Sequence, residues 1–115
     1  MPGVSIHVVD VSRGVVAIGM RVELRRGDGQ LIASGTTSTK GLLDHPGLVA
    51  RFEPGNYEAI FRVADYYRRH KDVPLPNVPF LDIVHYRFGL SDPEQHYHLP
   101  FKCTPWGYSC FRGGA

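Results

Sequence analysis

The apolar residues of this chain recur with a period of two over most of its length, which predicts β-strands. Near the start, Val4, Ile6 and Val8 alternate with residues of the other parity in a β-branched run. This is the pattern of a strand that is buried on at least one face. Further strands are predicted at 20–25, 31–33, 48–52, 56–63, 80–90, 96–102 and 108–112. About eight strands at this spacing predict an all-β fold, an eight-stranded antiparallel β-sandwich.

One stretch, residues 64–71, departs from this alternation. It reads Ala-Asp-Tyr-Tyr-Arg-Arg-His-Lys and is followed by Pro74 and Pro76. Basic residues favour the C-terminal end of a helix, and proline cannot continue one. We therefore predict one short helix near 64–71.

The length and charge of the chain narrow the classes of function. A chain of 115 residues has room for one domain, predicted over 1–115, and little volume for a deep private pocket. The 13 basic and 11 acidic residues leave a net charge of +2, which gives no electrostatic reason to expect nucleic acid or a membrane as partner. No apolar run approaches the ~20 residues of a membrane span, and no secretory signal is visible. We therefore expect a cytoplasmic protein.

The triplet His96-Tyr97-His98 is the first candidate for chemistry. Residues two apart on a strand point to the same face, so both imidazoles project together. Such a pair suits two ligands of a metal site or an acid/base pair. A zinc site needs a third ligand, for which His7 and His85 are the candidates. Because no metal-binding motif surrounds the pair, we favour the interpretation that one histidine faces solvent at the strand start, and we expect no metal.

His7 lies among Ser5, Val9 and Val11 on one face of the first predicted strand. A lone histidine in such a place is commonly a hydrogen-bonded structural residue. The alternative is a histidine that lines a cleft and changes its charge near neutral pH.

The two cysteines, Cys103 and Cys110, flank a predicted turn at 104–107. They could face each other across the hairpin, but a reducing compartment favours free, packed thiols. A nucleophilic cysteine would need a neighbouring base, which the sequence does not identify.

Four segments, taken in order, resemble the transthyretin-like, 5-hydroxyisourate hydrolase family. Residues 5–10, Ser-Ile-His-Val-Val-Asp, are similar to the family's Ser-Thr-His-Val-Leu-Asp, and residues 52–57 to its Phe-x-x-Gly-x-Tyr. Residues 92–100 resemble Asp-Pro-x-x-His-Tyr-His-Val-Pro, and residues 104–114 resemble Ser-Pro-x-x-Tyr-Ser-Thr-Tyr-Arg-Gly-Ser. The resemblance covers nearly the whole chain. It implies an eight-stranded sandwich that forms a homotetramer, a dimer of dimers, with active sites in a channel between subunits.

Carried over position by position, the resemblance implies that His7 and His98 are the catalytic pair, and Arg112 and Gly113 match the family's C-terminal segment. The family's Thr-Asn-x-Asp-Gly-Arg aligns with residues 37–42. Leu42 therefore stands in place of the arginine, and a leucine offers neither its charge nor its five donors. The other departures are Lys40 for aspartate, Cys110 for threonine, Phe111 for tyrosine and Gly114 for serine.

The resemblance therefore implies an enzyme with a remodelled, less polar site. The expected reaction is ring-opening hydrolysis of a cyclic amide or ureide such as 5-hydroxyisourate, by water that a histidine activates, with no cofactor. Two alternatives stay open: another acid/base step, such as a cyclisation or isomerisation in a specialised pathway, and a non-catalytic carrier of a small ligand. The residues expected around the substrate are Arg112, Lys40, Leu42, Trp106, Phe111, Cys110 and Gly114.

Overall fold

The computed structural model describes residues 2–70 and 74–114. Eight strands form two four-stranded sheets with the orders β2-β1-β7-β8 and β4-β3-β5-β6. The sheets pack face to face, so the predicted β-sandwich is confirmed. The strands are β1 (Gly3–Asp10), β2 (Val15–Val16), β3 (Arg21–Arg26), β4 (Leu31–Thr36), β5 (Gly55–Arg62), β6 (Ile83–Leu90), β7 (His96–Thr104) and β8 (Gly107–Cys110).

One pair of neighbouring strands, β1 and β7, is parallel, and here the expectation of antiparallel pairing is wrong. The chain between Asp10 and His96 supplies the whole second sheet. β7 therefore returns to β1 through a long connection, and no hairpin turn forces the two strands to run in opposite directions. The register places Ser5 beside His98 and His7 beside Pro100.

The strand predicted at 48–52 is also wrong, because a 3₁₀ helix occupies Pro46–Val49. Pro46 lies in its first turn, where a missing N–H costs nothing, and the ring of His45 accepts a hydrogen bond from the backbone N–H of Gly47 at 2.9 Å. The eighth strand is instead β2, in a segment for which the sequence predicted no strand. Its residues Val15–Val16 pair with the end of β1.

The predicted helix is confirmed as α1, Val63–Arg68, and the predicted end at Lys71 lies outside the described residues. Two buried tyrosines of α1 form hydrogen bonds to β1. The hydroxyls of Tyr66 and Tyr67 donate to the carboxylate of Asp10 at 2.9 and 2.6 Å, and Asp10 is fully buried. These charge-assisted hydrogen bonds compensate for burying the carboxylate.

The core lies between the two sheets and fixes which side chains point outwards. Ile6 of β1 and Phe101 of β7 are fully buried, and the ring of Phe101 stacks on Phe61 of the second sheet at 3.8 Å between centroids. Successive residues of a strand point to opposite faces. The half-buried residues Ser5, His7, His96 and His98 therefore share the outer face of the first sheet.

Candidate active site

The outer face of β1 and β7 carries His7, His96, His98 and Ser5 within a small area, and we call it the histidine face. Ser5 lies directly beside His98 in the parallel ladder, and His96 and His7 lie one pleat away on either strand. All four side chains are half-buried. The structure therefore brings together His7 and His98, the two histidines that the sequence pointed to.

The hydroxyl of Ser5 joins the two histidines of β7. Its Oγ lies 2.6 Å from Nδ1 of His98 and 2.8 Å from Nε2 of His96. Sequence reasoning did not include Ser5 or His96 in the catalytic site. Their two-residue spacings from His7 and His98 were visible in the sequence, but the parallel pairing that joins them was not.

His7 is oriented by the loop that carries Lys40. Its Nε2 lies 3.0 Å from the backbone carbonyl oxygen of Lys40. A carbonyl can only accept, so Nε2 of His7 carries a proton and Nδ1 is the nitrogen left for other chemistry. The half-buried Leu42 forms a β-bridge with His7 from the same loop.

Gly41 allows this loop to lie against β1. Its φ is +75°, and a Cβ at this position would lie 2.7 Å from the carbonyl oxygen of Val8 and 3.3 Å from Cδ2 of His7. The N–H of Val8 donates to the carbonyl of Gly41 at 2.8 Å. Glycine is therefore required here both for the left-handed conformation and for the close approach.

The electrostatic environment keeps His98 neutral. Burial lowers the pKa of His98 from its usual 6.5, and the neighbouring His7 and His96 lower it further because their cationic forms repel a charge on His98. A neutral imidazole at neutral pH can accept a proton from water. The arrangement therefore suits general base chemistry at His98.

The segment after β8 continues alongside β7 and divides the predicted binding residues between two faces. Gly113 bridges His98, and its N–H donates to the carbonyl of His98 at 2.7 Å. Arg112 lies on the opposite side, with its guanidinium 4.1 Å from the ring centroid of the core-facing Tyr97 and 2.9 Å from the amide oxygen of Gln95. Within one chain, Arg112 is therefore not brought to the histidine face.

The remaining predicted residues lie at different places. Phe111 is 45% exposed, and its ring centroid lies 5.9 Å from Nζ of Lys102, an outward residue of β7. Phe111 therefore borders the histidine face.

Cys110 packs against the core, and burial raises the pKa of its thiol to about 11. Trp106 is 66% exposed in the β7–β8 turn, beyond Thr104 at the end of β7, which lies about 20 Å along the strand from His98 at ~3.3 Å per residue. Two further residues, Lys40 and Gly114, are exposed.

A cavity of about 200 Å³ opens beside Ser5 and His96. Leu42 forms part of its wall, at the position where the family resemblance places an arginine. The remaining lining residues are Val4, Ile6, Leu43, Asp44, His45, Leu48 and Val49. The cavity therefore presents a mainly aliphatic wall next to Ser5 and His96.

In residues 2–70 and 74–114, no three His, Cys, Asp or Glu side chains come close enough together to hold a metal ion. The metal interpretation of His96 and His98 thus finds no third ligand within these ranges. Over the same part of the chain, no helix has both the length and the apolarity of a transmembrane span.

Comparison with known proteins identifies the family. The model of the HIUase/Transthyretin family matches residues 4–113. A protein of Deinococcus radiodurans named 5-hydroxyisourate hydrolase is 41% identical over 117 residues, which cover 97% of this chain and 96% of that protein.

Two solved structures share the fold. The 5-hydroxyisourate hydrolase of Klebsiella pneumoniae superposes with a TM-score of 0.81 at 26% identity, covering 99% of this chain and all of that one. A structure of (S)-allantoin synthase gives a TM-score of 0.86 at 32% identity, covering 97% of this chain but only 43% of that one. With its sandwich, its histidine face and these matches, the chain belongs to the HIUase/transthyretin family.

Proposed function

We propose that this protein catalyses the ring-opening hydrolysis of a cyclic amide or ureide, with 5-hydroxyisourate as the substrate, and that His98 and His7 form the acid/base pair. The observation that carries the proposal is the pair of half-buried imidazoles on one sheet face, each oriented by a fixed hydrogen bond. The 41% identity to a protein named 5-hydroxyisourate hydrolase supports the choice of substrate.

His98 acts as the general base in this proposal. Its Nδ1 is bound to Ser5, and among the described residues no group is hydrogen-bonded to its Nε2. With the proton on Nδ1, the lone pair of Nε2 faces a bound molecule. It removes a proton from water as the water oxygen attacks the ring carbonyl carbon.

His7 completes the proton transfers. When protonated, it still donates from Nε2 to the carbonyl of Lys40 and presents its Nδ1–H to the substrate. The ring C–N bond breaks, and the departing nitrogen takes this proton. Water is consumed, one C–N bond is replaced by one C–O bond, and the histidines return to their starting charges by exchange with solvent.

Leu42 is expected to limit the rate of hydrolysis at this site. Charge develops on the carbonyl oxygen during attack, and a leucine side chain supplies no donor to it. The loss of one preorganised donor typically costs ~10²–10³ in rate. We infer turnover below that of family members that keep the arginine, together with a less polar contact to the substrate through the aliphatic cavity wall.

Assembly completes the site in this proposal. One chain leaves the histidine face open and large apolar side chains exposed, Trp106 at 66%, Tyr108 at 50% and Phe111 at 45%. Exposed apolar groups of this kind commonly mark an interface. We infer a homotetramer, a dimer of dimers, whose partner subunits cover this face, and a cytoplasmic location. A sedimentation measurement that finds a monomer at micromolar concentration contradicts this arrangement.

The acid/base assignment is tested by comparing the parent protein with His98→Asn in an assay of 5-hydroxyisourate absorbance. The matched control is His85→Asn, because His85 is exposed on the other sheet and pairs with Glu58 at 3.3 Å. We expect kcat to fall about 10²–10⁴-fold in His98→Asn and to change less than about twofold in His85→Asn. Equal rates for parent and His98→Asn would show that His98 is not the base.

A further inference from the structure

A single hydroxyl, that of Ser5, links the catalytic His98 to His96, a residue to which the proposed mechanism gives no role. The parallel register places Ser5 beside His98 and one pleat from His96, so its Oγ reaches a ring nitrogen of each, at 2.6 and 2.8 Å. A hydroxyl has one proton and two lone pairs, so it donates to at most one of the two rings and accepts from at least one of them. The two hydrogen bonds therefore constrain each other.

Two arrangements keep the hydroxyl proton within this chain of hydrogen bonds, and a third, in which both rings donate to Oγ, also places the proton of His98 on Nδ1. In the first, Nδ1–H of His98 donates to Ser5, and the hydroxyl of Ser5 donates to Nε2 of His96. Nε2 of His98 then keeps its lone pair and can act as a base. In the second, Nε2–H of His96 donates to Ser5, and the hydroxyl donates to Nδ1 of His98. The proton of His98 then sits on Nε2, which can no longer accept one.

We propose that Ser5 and His96 are positioning residues that hold the proton of His98 on Nδ1, so that Nε2 faces the substrate as a base. This inference rests on the proposed role of His98. Neutral His96 accepts the hydrogen bond from Ser5 and maintains the first arrangement. The cavity opens beside Ser5 and His96, so both residues are accessible to solvent.

The tautomer of His98 can be read directly by ¹⁵N–¹H correlation spectroscopy of the histidine side chains. Its signals are assigned by their absence in His98→Asn. For the parent at pH 7.5 we expect His98 to be protonated on Nδ1, and in Ser5→Ala we expect the proton to move largely to Nε2. A parent already protonated on Nε2, or an unchanged tautomer in Ser5→Ala, would overturn the proposal.

Turnover provides the second readout. We expect kcat to fall roughly 10–100-fold in Ser5→Ala with KM nearly unchanged, because the hydroxyl orients the base without touching the substrate. Ser5→Thr keeps a hydroxyl and should restore both the tautomer and kcat. His96→Gln keeps an acceptor for Ser5 and should retain activity, whereas His96→Leu should lose it. Equal effects of glutamine and leucine at residue 96 would contradict the proposed relay of hydrogen bonds from His96 through Ser5 to His98.

These outcomes separate the relay from the proposed function. If His98→Asn lowers turnover but Ser5→Ala changes neither tautomer nor kcat, the relay fails and the hydrolase proposal stands. If the tautomer responds to Ser5→Ala but His98→Asn does not alter 5-hydroxyisourate turnover, the control of the tautomer stands and the proposed role of His98 as the base fails. A thermal midpoint recorded for each variant shows whether it remains folded.

Discussion

Gly41 joins the loop that orients His7 to the edge of β1, and its replacement by alanine is expected to cost both stability and turnover. The matched control is Gly14→Ala. Both glycines have similar left-handed conformations, with φ of +75° and +70°, but a Cβ on Gly14 meets no atom within 4 Å. The conformation alone costs an L-residue about 1–2 kcal/mol, and this cost applies to both variants.

The added methyl group at residue 41 has a second cost. It would lie 2.7 Å from the carbonyl oxygen of Val8 and 2.9 Å from Cβ of Val16, and both atoms belong to the sheet. Relief requires movement of the loop by several tenths of an ångström, and such overpacking costs about 1–3 kcal/mol. We expect Gly41→Ala to lose about 2–5 kcal/mol of unfolding free energy and Gly14→Ala about 1–2 kcal/mol.

Urea unfolding at one fixed protein concentration measures this difference, and the 5-hydroxyisourate assay measures its functional consequence. Movement of Gly41 displaces the neighbouring carbonyl of Lys40, which holds His7 at 3.0 Å. A misplacement of about 1 Å can cost ~10² in rate, so kcat/KM should fall about 10–100-fold in Gly41→Ala and stay at the parent value in Gly14→Ala. Equal destabilisation of the two variants, or full activity in Gly41→Ala, would refute the reasoning.

Three further predictions follow from the site and the two cysteines. Leu42→Arg restores a donor and a charge beside His7, and should raise kcat/KM for 5-hydroxyisourate about 10–100-fold; a decrease would show that the aliphatic wall is required. Because the pKa of His98 is lowered from its usual 6.5, more than half of this histidine stays neutral at pH 6.5, so activity should persist at pH 6.5 and be lost as the pH falls through the lowered pKa; a loss centred above 6.5 in a pH–rate profile would contradict this. Burial raises the pKa of Cys103 to about 12 and of Cys110 to about 11, so at pH 8 both thiols should react slowly with a disulfide reagent in the native protein and rapidly in urea; fast reaction of the native protein would show an activated thiol.

Local patterns predicted the parts of the fold that depend on local burial. The alternation in β1 and β7 placed these strands correctly and put Ser5 and His7 on one face, because burial on one side of a sheet imposes a period of two. The strand expected at 48–52 failed because its apolar residues Leu48 and Phe52 are buried without pairing in a sheet. Apolar residues alone do not distinguish a strand from a short helix when proline precedes them.

The contacts between distant segments could not be predicted from local patterns. The parallel register of β1 and β7, which brings Ser5 to His98 and His96, joins residues more than 90 positions apart. The orientation of Arg112 could not be predicted from local patterns either. The bridge between Gly113 and His98 turns the neighbouring Arg112 towards Tyr97, and no motif in the sequence specifies that face. The resemblance to the family supplied the two histidines, and the structure supplied their hydrogen-bond partners.

The central claim, that the paired histidines open a cyclic ureide, is tested most directly by the initial rate of 5-hydroxyisourate loss with the parent protein, after subtraction of the buffer rate. We predict a rate that is proportional to protein concentration and saturates with substrate. A parent protein no faster than buffer contradicts the claim. Saturable binding with unaltered ligand recovered after long incubation would instead identify a carrier.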